Sequence, residues 1–247
     1  MKRLTRNLSV FALVLMGHFA WASTSLQSGL DGAWRYQEGQ ITHIAVFVDG
    51  YVSHSWYDQP NQNFIATRGG TYSFQNGQLS IDWQWDTEKA AAEVDPGTWI
   101  GQRSGFTAEL SGDALQSNLA GSQAAWSRID QNGAPLTGVW RMSGRKQGDE
   151  ISNSPLRARR TLKILSGERF QWIAINIETG AFSGTGGGTY TFENGKYTEN
   201  IEFFSRDGSR VGASLTFDGD IQNGKWHHSG LSSVGNPIYE IWEKLEE

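Results

Sequence analysis

The 247-residue sequence predicts an all-β protein built as two tandem antiparallel meander β-barrels, with a pair of β-sandwiches as the alternative arrangement of the same strands. The first observation behind this is an internal repeat. Leu30-Asp31-Gly32-Ala33-Trp34-Arg35 returns as Leu136-Thr137-Gly138-Val139-Trp140-Arg141. Gly69-Gly70-Thr71-Tyr72-Ser73-Phe74-Gln75-Asn76-Gly77 returns as Gly187-Gly188-Thr189-Tyr190-Thr191-Phe192-Glu193-Asn194-Gly195, and Trp126-Ser127-Arg128-Ile129 returns as Trp242-Glu243-Lys244-Leu245. The order is kept and only loop lengths change, as expected of duplicated units. The second observation is a period of two within each half, as where Tyr190 and Phe192 alternate with Thr189, Thr191 and Glu193. The third is punctuation by hairpin dipeptides: Asp49-Gly50, Asn76-Gly77, Asn194-Gly195, Asp207-Gly208, Asp218-Gly219 and Asn223-Gly224. Asn, Asp and Gly tolerate the positive φ angles of two-residue hairpin turns.

The elements follow in chain order. Residues 1–22 read as a signal peptide: Lys2, Arg3 and Arg6 precede the apolar run Leu8 to Met16, and Ala20-Trp21-Ala22 supplies a small-x-small cleavage site. The apolar run falls short of the roughly 20 residues of a membrane span. The mature chain is therefore expected in the periplasm or secreted, without membrane insertion after leader cleavage. The first barrel is assigned to 23–130, a linker of turn formers to 131–135, and the second barrel to 136–247. Each half is long enough for about eight short strands, enough to close a barrel around one small ligand. The best helical exception is Thr87 to Glu93, about two turns within a loop.

Composition removes several classes of function. The formal net charge of −5 becomes more negative once the basic leader is gone, which argues against nucleic acid as a partner. Without cysteine there is no disulfide scaffold, so stability rests on buried apolar surface, which eleven Trp and twelve Phe supply. No cofactor motif occurs. The glycine run Gly184 to Gly188 lacks the Lys-Ser/Thr ending of a phosphate loop. His227-His228 is a poor metal motif, because adjacent strand residues point to opposite faces.

Each half opens on Gly-x-Trp and closes on an aromatic strand bearing a basic residue: Gly32, Trp34 and Arg128, then Gly138, Trp140 and Lys244. This resembles the lipocalin and wider calycin pattern. The second half, with Gly-Thr-Tyr-Thr-Phe and Glu240-Ile241-Trp242-Glu243-Lys244, also resembles lipocalin-like domains of exported bacterial proteins of unassigned function. The resemblance implies that the early Trp packs across a closed barrel end beneath the basic side chain, and that the barrel encloses a cavity. It does not imply one ligand, since the fold hosts carriers, haem binders and a few enzymes.

The repeat also serves as an internal control. Glu199 falls opposite Ile81, Glu240 opposite Ala124, and the His227-His228 pair has no histidine counterpart, so the second half carries acid and imidazole where the first is apolar or small. Strand alternation allows Glu199, His228 and Glu240 to share one cavity with Trp172, Tyr197, Trp226 and Trp242. Buried carboxylates there are expected to have raised pKa values. The segment after Trp140 is longer than its counterpart and reads as a basic loop over the barrel mouth, with Arg145, Lys146, Arg157, Arg159 and Arg160; Arg159 joins the ligand-binding set. The leading expectation is an exported protein that binds a small, partly apolar, anionic molecule in the second barrel, the first being a degenerate copy. Two alternatives stay open: an enzyme, hydrolase or isomerase, with Glu199, His228 and Glu240 as catalytic residues, and a cell-envelope scaffold or partner-binding module.

Overall fold

The computed structural model describes residues 29–232 and 235–245; the leader assigned to 1–22 lies outside them. The first barrel comprises β1 (Gly32–Glu38), β2 (Ile41–Val48), β3 (Tyr51–Asp58), β4 (Asn63–Gln75), β5 (Gln78–Asp86), β6 (Arg103–Ser111), β7 (Ala114–Ser117) and β8 (Ala124–Asp130). Each strand pairs antiparallel with the next, and β1 pairs with β8, so the ring closes and the sandwich alternative is excluded. A short helix, α1 (Thr87–Ala91), follows β5; the Asp86 side chain caps it by accepting from the Glu88 and Lys89 N–H groups.

The second barrel comprises β9 (Gly138–Gln147), β10 (Glu150–Asn153), β11 (Arg159–Leu165), β12 (Arg169–Asn176), β13 (Phe182–Glu193), β14 (Lys196–Phe204), β15 (Ser214–Gln222), β16 (Lys225–Leu231) and β17 (Pro237–Lys244). Pairing of β9 with β17 closes a ring of eight strands, while β10 folds back on β9 as an additional hairpin. The basic segment after Trp140 is thus largely strand rather than loop. Among the described residues no helix is long and apolar enough to cross a membrane.

Local chemistry explains the turns, with two exceptions. Asp49, Asn76, Asn194 and Asn223 all take positive φ and are followed by positive-φ glycines, as the hairpins require. Asp207 instead caps a single 3₁₀ turn, Gly208–Arg210. Asp218-Gly219 lies inside β15. A Cβ on Gly219 would sit 2.8 Å from the Phe192 ring, so that glycine serves packing rather than turning.

The closed ends carry the features implied by the Gly-x-Trp motif. Trp34 is fully buried, its indole N–H donates to the Leu30 carbonyl at 2.7 Å, and the Arg128 guanidinium lies 4.1 Å above its ring. Trp140 donates to the Leu136 carbonyl at 2.8 Å beneath Lys244, whose ammonium is 4.7 Å from the ring. The two barrels pack back to back. β2 is buried along nearly its whole length, on both faces, whereas β6 alternates toward solvent. Ile44, Val46 and Tyr57 from the first barrel meet Leu162, Ile164 and Ile173 from the second. Within this contact Gln171 bonds to Ser53, Ser55, Thr67 and Thr185, and Arg169 and Tyr57 both bind Glu202.

Candidate functional site

Strand register assembles a charged cluster inside the second barrel. His228 on β16 lies directly opposite Glu240 on β17, and Glu240 lies opposite Arg145 on β9. Directly opposed residues share a face, so the three side chains meet. Arg145 Nη2 donates to Glu240 Oε1 at 2.5 Å, and His228 Nδ1 is 3.5 Å from Glu240 Oε2. From β11, the strand beside β9, Lys163 reaches across to Glu199 on β14, with Nζ to Oε1 at 2.7 Å. Lys163, Glu199, His228 and Glu240 are each less than a tenth exposed.

The Lys163 ammonium occupies an aromatic box. It lies 4.6 Å from the Tyr197 ring centroid, 5.0 Å from Trp226, 5.3 Å from Trp242 and 5.8 Å from Phe217. A desolvated ammonium gains appreciable stabilisation from such rings, and a buried carboxylate beside it satisfies its charge. Each interior acid therefore has a cationic partner. Trp172 lies at the periphery of the same core, packed edge-on to Phe204, with Arg206 over its ring. Of the residues the sequence proposed for this site, Tyr197, Glu199, Trp226, His228, Glu240 and Trp242 come together around Lys163, while Arg159 does not.

The protonation states depart from expectation. Burial acts to raise the Glu240 pKa, but His228, Lys163 and Arg145 together outweigh it and bring it down to about 2. The carboxylate is ionised at neutrality rather than poised to donate a proton. His228 is held below the ordinary histidine value of 6.5, first by burial and then by the Lys163 charge, against the opposing pull of Glu240 and Glu199. His228 Nε2 and the indole N–H groups of Trp226 and Trp242 are buried without hydrogen-bond partners.

Arg159 belongs to a separate feature at the barrel seam. The β9–β11 ladder pairs Gly138–Arg141 with Leu162–Leu165, and beyond it the strands part. A cleft of about 240 Å³ opens there, bounded by Arg141, Arg157, Arg159 and Arg160 around Met142 and Leu156. Among the described residues its lining contains no acid. Arg141 donates to the Ser154 carbonyl at 2.8 Å and ion-pairs with Glu243, and Arg160 Nε donates to the Arg157 carbonyl at 3.0 Å. Burial, then the like charge of Arg160, lowers the Arg141 pKa.

Several residues of these interior clusters escaped the sequence reading. Lys163 was legible by the same internal control that marked Glu199: Trp34 pairs with Ala45 where Trp140 pairs with Lys163. The first barrel is also not uniformly apolar, because His43, His54 and Arg68 enter its interior. Among the described residues, no three His, Cys, Asp or Glu side chains converge as for a metal ion. No family model matches the chain, and no curated protein matches it.

Proposed function

We propose that this is an exported, lipocalin-like binding protein whose second barrel takes a small anion with an apolar portion. The carrying observation is the seam cleft, whose lining sets four arginines around Met142 and Leu156. Guanidinium groups suit planar, two-oxygen anions such as carboxylates. Arg157 and Arg159 are the primary anchors, because Arg141 is already engaged by Glu243 and Ser154. The apolar portion lies toward Met142, which packs against the aromatic core. At about 240 Å³ the cleft is smaller than the roughly 300–1,000 Å³ typical of drug-sized ligands, which favours a short molecule.

Glu199, His228 and Glu240 take a different part from that of direct anchors. Glu199 holds Lys163, and Glu240, beside His228, holds Arg145, so the network keeps the interior charge balanced. Binding is favoured over acid–base catalysis because Glu240, at about 2, is too weakly basic to exchange protons efficiently near neutrality. The test is a titration followed by tryptophan fluorescence, with octanoate against octanol. Octanoate is expected to give a saturable change and to bind at least about tenfold more tightly than octanol, an advantage lost in the Arg157→Ala/Arg159→Ala double variant. Equal affinity for acid and alcohol, or an unchanged double variant, would overturn the reading.

A further inference from the structure

The first barrel carries its own unabsorbed polar cluster. Arg68 on β4 sits between two indoles, its guanidinium carbon 5.6 Å from the Trp56 ring centroid and 5.2 Å from Trp83. Its Nη2 donates to the Leu119 carbonyl at 2.5 Å, and its Nε is buried without a hydrogen-bond partner. Next to it His43 Nδ1 and His54 Nε2 share a hydrogen bond of 3.1 Å. The outer nitrogens of this pair, His43 Nε2 and His54 Nδ1, have no hydrogen-bond partner; the nearest carboxylate, Glu38, is 3.7 Å from the former. Trp126 Nε1 is likewise unpartnered, and its ring packs edge-on to His54 at 5.4 Å between centroids. His54 and Trp126 are each 1% exposed.

The fold does not require this cluster. His54 pairs with Arg68 where Trp172 pairs with Gly186 in the second barrel, so the same wall closes without the imidazole or the guanidinium. Arg68 is half-buried and its charge is met in part by Asp86, opposite it on β5, and by Glu88, but the orphaned donors beside it are costly unless a ligand satisfies them. One proton shared between two neutral imidazoles leaves one ring with an outward N–H and the other with an outward lone pair. Together with Arg68 Nε and Trp126 Nε1, this presents up to three donors beside the Arg68 guanidinium. A metal ion fits poorly, since only two imidazoles are present and Arg68 repels cations.

We infer that the first barrel contains a second ligand site, for a flat aromatic carboxylate whose oxygens bind Arg68 and the His43–His54 pair and whose ring lies against Trp56 and Trp83. The ligand carboxylate replaces the Leu119 carbonyl as the acceptor for Arg68. This site is independent of the seam cleft, and each can fail without the other.

The experiment is calorimetric titration of the full chain with benzoate, and with benzyl alcohol as the neutral control. Benzoate is expected to give a binding phase that Arg68→Gln weakens at least about tenfold and that persists unchanged in Arg157→Ala/Arg159→Ala, with benzyl alcohol weaker in that phase by a similar factor. Absence of benzoate binding, or equal affinity in Arg68→Gln, overturns the proposal; loss in the Arg157/Arg159 variant alone assigns the ligand to the other barrel and also overturns it. Should Arg68→Gln fail to fold, the imidazole NMR resonances of His43 and His54 in the wild-type chain decide. Movement of both on benzoate addition supports the site, and no movement overturns it.

Discussion

In the first barrel Trp34 faces Ala45, Tyr72 faces Ile81 and Ser117 faces Ala124; in the second the same ladder positions read Trp140 with Lys163, Tyr190 with Glu199, and His228 with Glu240. Small or apolar side chains in one copy are thus replaced by a buried ionic network in the other. Across the opposite wall the exchange reverses, with His54 and Arg68 in the first barrel against Trp172 and Gly186 in the second. The conserved frame is the wall: closed-end tryptophans, Asn-Gly hairpins and the glycine pair Gly69-Gly70 with its repeat Gly187-Gly188. Both pairs sit at a register shift, where a Cβ on Gly69 or Gly187 would collide with the ring of Trp85 or Phe203. The difference shows that a barrel interior can exchange its charges without rebuilding its strands.

That comparison can be broken most decisively at Lys163. Lys163→Met leaves Glu199 buried without its cation and is expected to destabilise the chain by about 3–5 kcal/mol in chemical denaturation. The double variant Lys163→Met/Glu199→Gln should recover most of that loss, since the orphaned charge is gone. A single-variant cost below about 1 kcal/mol, within the range of exposed pairs, would mean that the network contributes little.

A smaller effect separates the barrels by pH. His43 and His54 both lie below the ordinary 6.5, His54 well below it, chiefly through burial. Their unfolded forms take up protons first, so stability falls as pH drops below about 6.5. Glu240 acts in a lower window: its folded pKa of about 2 against an ordinary 4.5 stabilises the fold above about 4.5, and that contribution is lost as pH falls through 2. Each displaced pKa unit corresponds to about 1.4 kcal/mol. Denaturation midpoints between pH 7 and 5 should therefore flatten more in His54→Asn than in His228→Asn, whose lowering is opposed by two carboxylates. Equal flattening would contradict the distinction.

Much of the architecture was legible because it repeats. Gly-x-Trp, Gly-Thr-Tyr and the closing Trp recur in order, and a duplicated pattern of hairpins has few ways to close. Asp218-Gly219 misled because turn dipeptides do not reveal when glycine is needed for clearance beside Phe192 and Trp226. The interior was only partly legible. Alternation groups Tyr197 with Glu199 and Trp226 with His228, but it does not identify which face is inward. Lys163 escaped notice, and Arg145 was assigned to a mouth loop rather than to the interior acids, because a long cation on a strand ordinarily lies in solvent. The first barrel's Arg68 was hidden for the same reason, and the lowered Glu240 pKa follows from partners that the sequence leaves unplaced.

The central claim is that the arginine seam of the second barrel receives an anion. Its most direct measurement is mapping of arginine Nε–Hε resonances by NMR during addition of octanoate to the full chain. The account predicts that Arg157 and Arg159 shift together and saturate, while Arg128 at the closed end of the first barrel stays fixed. Saturation without movement of Arg157 and Arg159, or no saturable change at all, would contradict it.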